Sequence, residues 1–223
     1  MEDRTRVEMR VGPARLADDA EAAPRLGNSG EQIVQELNGR YYEQVVRGNV
    51  FIYSTVAAGI ALLVPAVTGN HPTIWNPAGS GYNFIPLRLV LGYAAGNNAP
   101  TNIVFAHTPN AGSAIGAALP IPTFTDVAPV NALLGSGRLS RMRWAPAVCT
   151  FTVIPAFVMT SGISLFTGVA ATAVAPFQIC VDFDGTIIMP PGNALSICTV
   201  ANTTTATFTV SLIGMELPEP LFA

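Results

Sequence analysis

The stretch Ala206-Thr-Phe-Thr-Val-Ser-Leu-Ile213 alternates apolar side chains with threonine and serine. In an extended strand this period of two places Phe208, Val210 and Leu212 on one face and the hydroxyl-bearing side chains on the other. Threonine, valine and phenylalanine are also residue types that favour strands. The stretch therefore predicts a β-strand with one buried and one exposed face.

Other short segments rich in β-branched or aromatic residues are bounded by glycine, proline or asparagine, which is the pattern of strands separated by turns. They are residues 151–154, 177–181, 186–189 and 194–200, with earlier candidates at 50–56, 60–67, 84–93 and 103–106. About eight to ten strands at this spacing favour a β-sandwich, and a jelly roll is the version that we expect. The predicted fold class is all-β: a jelly-roll-like β-sandwich over residues 48–223 behind a charged N-terminal arm, residues 1–47, that contains a short helix.

The charged residues are concentrated in the arm. Of the 11 arginines and 14 acidic residues, the arm holds seven and nine, and the sequence contains no lysine. The remaining body is nearly uncharged, as expected if neighbouring subunits cover much of its surface, although a poorly charged monomer would have the same composition. The net charge of −3 and the pI near 5.3 argue against a protein that binds nucleic acid through a basic face.

The arm divides into two parts. Residues 1–28 contain few large apolar side chains and little periodicity, so this part is expected to be flexible on its own. Residues 29–47 are predicted to form a helix, because Ser29 can cap it, Gln32 completes a capping box, and apolar side chains recur every four residues. Gly39 weakens this helix by about 1 kcal/mol. The helix packs on its own domain or docks on a neighbour, and the sequence leaves both open.

A membrane span is not expected. A spanning helix needs about 20 apolar residues with few interruptions. The best candidate, residues 50–67, is interrupted by serine, threonine, glycine and proline, a pattern that suits strands and turns better. We therefore predict no membrane partner.

The cysteines and histidines do not form the pattern of a metal or cofactor site. Cys149, Cys180 and Cys198 are widely spaced and are expected to be buried free thiols that serve as small apolar residues. His71 and His107 lie far apart, each near a proline, and are expected in loops. We predict no metal and no cofactor.

The strongest catalytic motif is Val181-Asp-Phe-Asp-Gly-Thr-Ile187. It resembles the DxDGT signature of haloacid-dehalogenase-type phosphatases, which implies a nucleophilic Asp182 and an acid/base Asp184 beside Mg²⁺. That family continues the motif into an α/β domain and uses a downstream lysine, whereas this chain continues with a strand pattern and has no lysine. A turn with Asp184-Gly185 at its corner is therefore the favoured interpretation. The protein is predicted not to be an enzyme, and a Mg²⁺-dependent phosphatase is the alternative from another class.

The only basic cluster of the body is formed by Arg138, Arg141 and Arg143. At alternate positions of an extended segment, Arg141 and Arg143 would share a face, which could meet an acidic partner surface or belong to a solvated loop. The residues predicted to bind a partner combine this pair with arginines of the arm and apolar residues of its helix. They are Arg4, Arg6, Arg10, Arg15, Ile33, Leu37, Tyr41, Arg141 and Arg143.

Three segments resemble virion structural proteins of tailed bacteriophages. The first is Asn49–Tyr93, in which Trp75-Asn-Pro-Ala-Gly-Ser-Gly-Tyr-Asn-Phe-Ile-Pro-Leu87 resembles a turn followed by an apolar strand of that group. Residues 183–218 resemble its closing strands, and residues 40–48 resemble its entry segment. The resemblance implies a virion structural role without catalytic residues, as a head decoration (cement) protein, with a tail or baseplate component as the alternative. It also implies a location in the virion and a partner that is the major capsid protein or another virion protein.

Self-association is expected from the low charge of the body. A body with four arginines and five acidic residues would expose large uncharged areas as a monomer. Closed cyclic association covers such areas without leaving a contact that can grow indefinitely. A homotrimer is predicted, by analogy with jelly-roll subunits that pack around threefold axes.

Overall fold

The structure is a computed structural model that describes residues 39–96, 98–108, 123–151, 153–167, 178–203 and 206–219. The chain divides between Glu43 and Gln44 into two units, and the architecture below belongs to the second unit, Gln44–Ala223. The part of the arm predicted to be flexible, residues 1–28, lies outside the described residues, as do residues 29–38 of the predicted helix.

The described residues contain one short helix and thirteen strands, which is more strands than the sequence predicted. The helix, α1, is Tyr42–Val46. The strands are β1 (Val50–Ser54), β2 (Thr68–Asn70), β3 (Thr73–Trp75), β4 (Tyr82–Ala95), β5 (Asn98–Thr108), β6 (Thr123–Phe124), β7 (Val130–Asn131), β8 (Arg143–Ala145), β9 (Val148–Thr150), β10 (Ala156–Thr167), β11 (Gln178–Asp182), β12 (Ala194–Thr199) and β13 (Thr207–Pro218).

Two five-stranded antiparallel sheets form the body, in the orders β11-β4-β13-β1-β7 and β10-β5-β12-β3-β8. Eight of these strands (β1, β3, β4, β5, β10, β11, β12 and β13) can be numbered one to eight along the chain. In that numbering the sheets have the orders 6-3-8-1 and 5-4-7-2, and the chain changes sheet at every step except from β5 to β10. This is the topology of a jelly roll, so the predicted fold class is confirmed.

The main core is built from the inward faces of both sheets. On β13 every second residue from Phe208 to Glu216 is buried, which confirms the alternation predicted for residues 206–213 and extends it by two positions on that face. A shift of the β13 pairing register by one residue would expose this whole face. Each large apolar side chain exposed in this way would lower the free energy of unfolding by about 1.5–3 kcal/mol. Burial of alternate side chains therefore fixes the register of β13 against β4 and β1.

Smaller elements complete the body. Strands β2, β9 and β6 form a third sheet. A second small core joins residues of β3, β8, β9 and β12 with the residue that follows β9: Trp75, Ala145, Cys149, Phe151 and Ala194.

Three predicted strands are wrong. Residues 60–67 form one isolated bridge at Ile60, and the Leu62 carbonyl accepts hydrogen bonds from the loop residue Thr203 instead of a strand partner. Residues 186–189 contribute a single bridge between Met189 and Phe84, and two prolines follow. In the predicted strand 151–154, the described residues 151, 153 and 154 lie between β9 and β10, before Pro155.

The predicted helix over residues 29–47 is too long in its described part. α1 begins at Tyr42, after Gly39, and ends before Gly48, which has a φ of +72°. The Gly48 N–H donates to the Val45 carbonyl, and the Asn49 N–H donates to the Gln44 carbonyl at 2.9 Å, as in a Schellman C-cap. In the described part of the chain, no helix has the length and apolar character that crossing a membrane requires.

The packing of the core can be tested at Gly214 of β13. A Cβ at this position would lie 2.1 Å from Cε2 of the buried Phe84 ring, so alanine must displace the ring. We expect Gly214→Ala to lower the free energy of unfolding by about 1–3 kcal/mol in urea denaturation. Gly79→Ala is the matched control, because a Cβ there meets no atom within 4 Å. Equal stability of the two variants would contradict this packing.

Candidate partner-binding site: the arginine loop

Residues 132–142, which connect β7 to β8, form a loop that we name the arginine loop. Its first turn is closed by the Ser136 N–H, which donates to the Leu133 carbonyl at 2.9 Å. The Asn131 side chain makes two hydrogen bonds at this turn. Its Oδ1 accepts from the Leu133 N–H, and its Nδ2 donates to the Gly48 carbonyl, both at 2.9 Å. The buried Asn131 side chain therefore ties the loop to the residue that caps α1.

The far side of the loop is held by the fully buried carboxylate of Glu216 on β13. Its Oε1 accepts hydrogen bonds from the Tyr53 hydroxyl at 2.8 Å and the Ser140 hydroxyl at 2.5 Å. Its Oε2 accepts from the Arg141 backbone N–H at 2.9 Å. A buried carboxylate without such donors would be strongly destabilising, so these three bonds fix the path of the loop over the core.

Tyr53 is suited to act as a permanent donor to Glu216. Burial raises the pKa of Tyr53 well above its ordinary value, and the nearby Glu216 carboxylate raises the pKa further. The ring is held edge-on between Phe84 and Trp144, with centroid distances of 5.4 and 6.0 Å. The phenol therefore stays protonated and correctly placed.

Two arginines of the loop share one aromatic ring. The guanidinium carbons of Arg138 and Arg141 lie 6.0 and 5.7 Å from the centroid of Tyr82, within the range of cation–π contacts. Nη1 of Arg138 also donates to the Arg47 carbonyl at 3.3 Å and to Oδ1 of Asn49. The pairing over Tyr82 concentrates positive charge at one point of a nearly uncharged body.

Arg143 has a different environment from Arg141. Its Nη2 forms an ion pair with Oδ2 of Asp126 at 2.5 Å, and its guanidinium carbon lies 5.2 Å from the Trp75 ring. Burial alternates from the exposed Arg141 to the buried Met142 and the half-buried Arg143, as expected for an extended segment. Arg141 and Arg143 nevertheless lie over different rings, Tyr82 and Trp75, and the charge of Arg143 is already paired.

The arginine loop also carries two exposed large apolar side chains. Leu134 and Leu139 are 78% and 81% exposed, the highest fractions among the large apolar residues that the structure describes. Arginine is enriched in protein–protein interfaces, and exposed apolar side chains are typical of surfaces that bind other proteins. The arginine loop is therefore suited to bind another protein.

Most of the partner-binding residues predicted from the arm lie outside the described residues: Arg4, Arg6, Arg10, Arg15, Ile33 and Leu37. Tyr41 is described and lies one residue before α1, half-buried, with Arg40 over its ring at 5.5 Å.

Sequence reasoning missed Glu216, Tyr82 and the two exposed leucines. One signal was available for Glu216. Continuing the alternation of Phe208, Val210 and Leu212 by two more steps places Glu216 on the buried face.

The DxDGT motif forms the predicted turn. Asp184 and Gly185 have φ angles of +50° and +77°, and the Thr186 N–H donates to the Phe183 carbonyl at 2.9 Å. Asp182 lies opposite Arg88 on the neighbouring strand, and Nε of Arg88 reaches Oδ1 of Asp182 at 2.5 Å. The carboxylate proposed as a nucleophile in the alternative is thus part of a cross-strand ion pair. Across the described ranges, no group of three or more histidine, cysteine or acidic residues is placed to hold a metal ion.

His71, Cys149 and Cys198 belong to the interior. Nδ1 of the fully buried His71 lies 3.6 Å from Sγ of Cys198, and burial raises the pKa of Cys198 and of Cys149 to about 12. Both thiols are therefore protonated at neutral pH and are poor nucleophiles. The prediction of free thiols is confirmed for all three cysteines, but the prediction of burial is wrong for Cys180, which is exposed.

The two histidines differ from their prediction in different ways. His71 lies in a loop as predicted but is buried, whereas His107 lies in β5, and its Nε2 is 2.8 Å from Oδ1 of Asn193.

No family model matches the chain, and no curated protein or solved structure matches it. The jelly-roll topology and the geometry of the arginine loop are therefore the basis for a functional proposal.

The anchoring role of Glu216 predicts a loss of stability in Glu216→Gln. The amide would replace one acceptor oxygen by a donor N–H, so at least one of the three groups that donate to Glu216 loses its acceptor, at a cost of about 1–3 kcal/mol. Urea denaturation should show this loss, and amide exchange of Arg141 should become faster. Glu219→Gln is the matched control, because Glu219 is exposed and follows the same strand. If Arg141 exchanges at the same rate in both variants, Glu216 does not hold the loop.

Burial of His71 predicts a pH dependence of stability. Burial lowers the pKa of His71 below its ordinary value of 6.5, and a backbone contact with Ala66 opposes this shift. As the pH falls through 6.5, the unfolded chain takes up a proton that the folded chain does not, so the free energy of unfolding decreases. The slope that one group contributes is at most about 1.4 kcal/mol per pH unit.

The decrease in the free energy of unfolding that His71 causes between pH 7.5 and 5 should be absent in His71→Gln. It should persist in His107→Gln, when both variants are compared with wild type by urea denaturation. A slope that is the same in wild type and His71→Gln would contradict the assignment.

Proposed function

We propose that this protein is a non-enzymatic structural subunit of a virus particle, a capsid decoration protein that binds an acidic surface of the capsid protein through its arginine loop. The observation that carries the proposal is the loop itself: it carries the exposed Leu134 and Leu139 together with Arg138 and Arg141, and its backbone is anchored on the buried Glu216.

The anchoring favours binding because it reduces the conformational entropy that the loop loses on association. The Arg141 backbone is hydrogen-bonded to Glu216, and its guanidinium lies over Tyr82. A group that is already ordered loses less conformational freedom when it meets a partner. The loop therefore offers contact residues whose geometry is set before binding.

The charge of the loop favours an acidic partner. Arg138 and Arg141 converge on one ring, and the acidic group nearest to them along the hydrogen-bond network, Glu216, is buried beneath the loop with both oxygens in use. An opposing carboxylate can accept paired hydrogen bonds from a guanidinium, which fixes the relative orientation of the two proteins. Leu134 and Leu139 would then exclude water from these bonds.

The fold supports the virion role by analogy. Jelly rolls are common in viral capsid proteins, although the same topology also occurs in lectin domains and cupins. The nearly uncharged body and the many half-exposed apolar residues suit a protein whose surface is covered by neighbours. The resemblance of residues 75–87 and 183–218 to phage virion proteins points in the same direction.

The proposal predicts that virus particles purified by gradient centrifugation from the material that produces this protein contain the protein in stoichiometric amounts. Cryo-electron microscopy should then show jelly-roll density at symmetric positions of the capsid. The finding that the chain is confined to the soluble fraction and missing from particles would overturn the virion role.

The binding surface is tested by adding purified variants to particles that lack the chain. Arg141→Glu places a like charge against the acidic partner, and the loss of a close charge pair costs about 2–5 kcal/mol, so its occupancy should fall at least about thirtyfold at limiting concentration. Arg88→Gln is the matched control, since it removes another body arginine, six positions beyond Tyr82 on β4. Equal occupancy of both variants would exclude the arginine loop as the contact.

A further inference from the structure

Residues 47–49 connect α1 to β1, and we name them the junction. The carbonyl groups at the C-terminal end of a helix have no partners within the helix. Nη1 of Arg138 supplies a donor here, because it donates to the Arg47 carbonyl at 3.3 Å and to Oδ1 of Asn49. The same Asn49 side chain donates from Nδ2 to Oε1 of Gln44 on α1 at 2.7 Å. A side chain of the arginine loop thus takes part in capping α1.

The junction packs closely on the arginine loop. A Cβ at Gly48 would lie 3.5 Å from Cδ of Arg138 and 3.6 Å from Oγ of Ser136. On the other side, the Asn49 carbonyl accepts from the Glu216 N–H of β13 at 2.8 Å. One side of the junction is therefore fixed by the backbone of a central strand, whereas the other depends on the position of the Arg138 side chain.

The hydrogen-bond acceptors of Arg138 are neutral. Within the described part of the chain, its guanidinium bonds to a backbone carbonyl and a side-chain amide oxygen, and it lies 6.0 Å from the centroid of Tyr82. A carboxylate adds its own charge to such a bond and can accept from two N–H groups of one guanidinium. Arg138 is only half-buried, so a partner can reach it. An acidic group at the loop therefore competes with the junction for Arg138.

We propose that the arginine loop is a switch: a carboxylate bound at Arg138 withdraws its guanidinium from the junction and loosens the C-terminal end of α1. The inference rests on the proposed function, because it requires the loop to bind acidic groups. Arg141 stays in place, since its backbone N–H donates to the buried Glu216. Occupancy of the loop is thereby transmitted to the residues that precede β1.

The coupling acts in both directions. Two states of one equilibrium are involved, with Arg138 either on the junction or on the acidic partner. By linkage, a change that weakens the hold of the junction on Arg138 must strengthen binding of the partner by the same factor. The acceptor Oδ1 of Asn49 is the group through which this hold can be changed in either direction.

The first measurement uses the full chain and a peptide of six glutamates as the acidic probe. The amides of Gly48 and Asn49, which donate to carbonyls of α1 at 2.9 Å, should exchange at least about threefold faster when the peptide is saturating. The Arg141 amide should keep its rate, because Glu216 still holds it. A peptide of six glutamines is the control and should leave all three rates unchanged.

Substitutions at Asn49 test the competition, with affinities measured by fluorescence anisotropy of the labelled glutamate peptide. Asn49→Ala removes an acceptor of Arg138 and should raise the affinity at least about threefold, whereas Asn49→Asp supplies a competing carboxylate and should lower it by a similar factor. In Arg138→Gln neither substitution should change the affinity. This double-mutant cycle separates competition from general charge repulsion, which would persist without Arg138.

Three results would each overturn the switch. They are a wild-type chain that does not bind the glutamate peptide, binding with unchanged exchange at the junction, and Asn49 substitutions whose effects persist in Arg138→Gln. Thermal unfolding shows whether each variant is folded, and the exchange measurement on wild type decides the matter without any variant. The first result also contradicts the acidic contact of the proposed function. The other two leave that contact and the virion role intact, because occupancy on particles measures them separately.

Discussion

The arginine loop depends on the hydrogen bonds that the buried carboxylate of Glu216 accepts. Glu216 stands at the end of the inward face of β13, a central strand between β4 and β1. Since a carboxylate inside the core must find hydrogen-bond donors, Tyr53, Ser140 and the Arg141 amide converge on it. A central strand of the sandwich thus determines where a surface loop runs, and through Arg141 it determines where a surface charge lies.

Most strands that were predicted from the sequence have an alternation or an apolar run and lie between two neighbouring strands, whereas β11 (predicted as 177–181) lies at a sheet edge beside β4. Residues 84–93 and 194–200 became β4 and β12, both flanked by partners on either side. The stretch 60–67 has the same composition, but its backbone bonds to the loop at 199–203, and no local pattern distinguishes the two cases. Composition therefore predicts which segments are buried, and the long-range partner decides whether a segment is a strand.

The candidate site was predictable to the extent that its residues are close in sequence. Arg138, Arg141 and Arg143 are clustered in the chain, so their spacing indicated a basic segment. Their environments depend on residues far away: Tyr82 for the first two and Asp126 with Trp75 for the third. The difference between two arginines over one ring and a third in an ion pair follows from the packing of β4 and β3 beside the loop, which no short window of sequence contains.

The proposed contact joins two kinds of interaction in one loop. The guanidinium groups of Arg138 and Arg141 would select an acidic partner by orientation, because paired hydrogen bonds to a carboxylate require a fixed geometry. Leu134 and Leu139, the most exposed large apolar side chains among the described residues, would add apolar area around that contact. Because the Arg141 backbone is hydrogen-bonded to the buried Glu216, little further ordering of the loop would be needed on binding. The selectivity of the proposed contact thus depends on a residue of the core as much as on the charges of the surface.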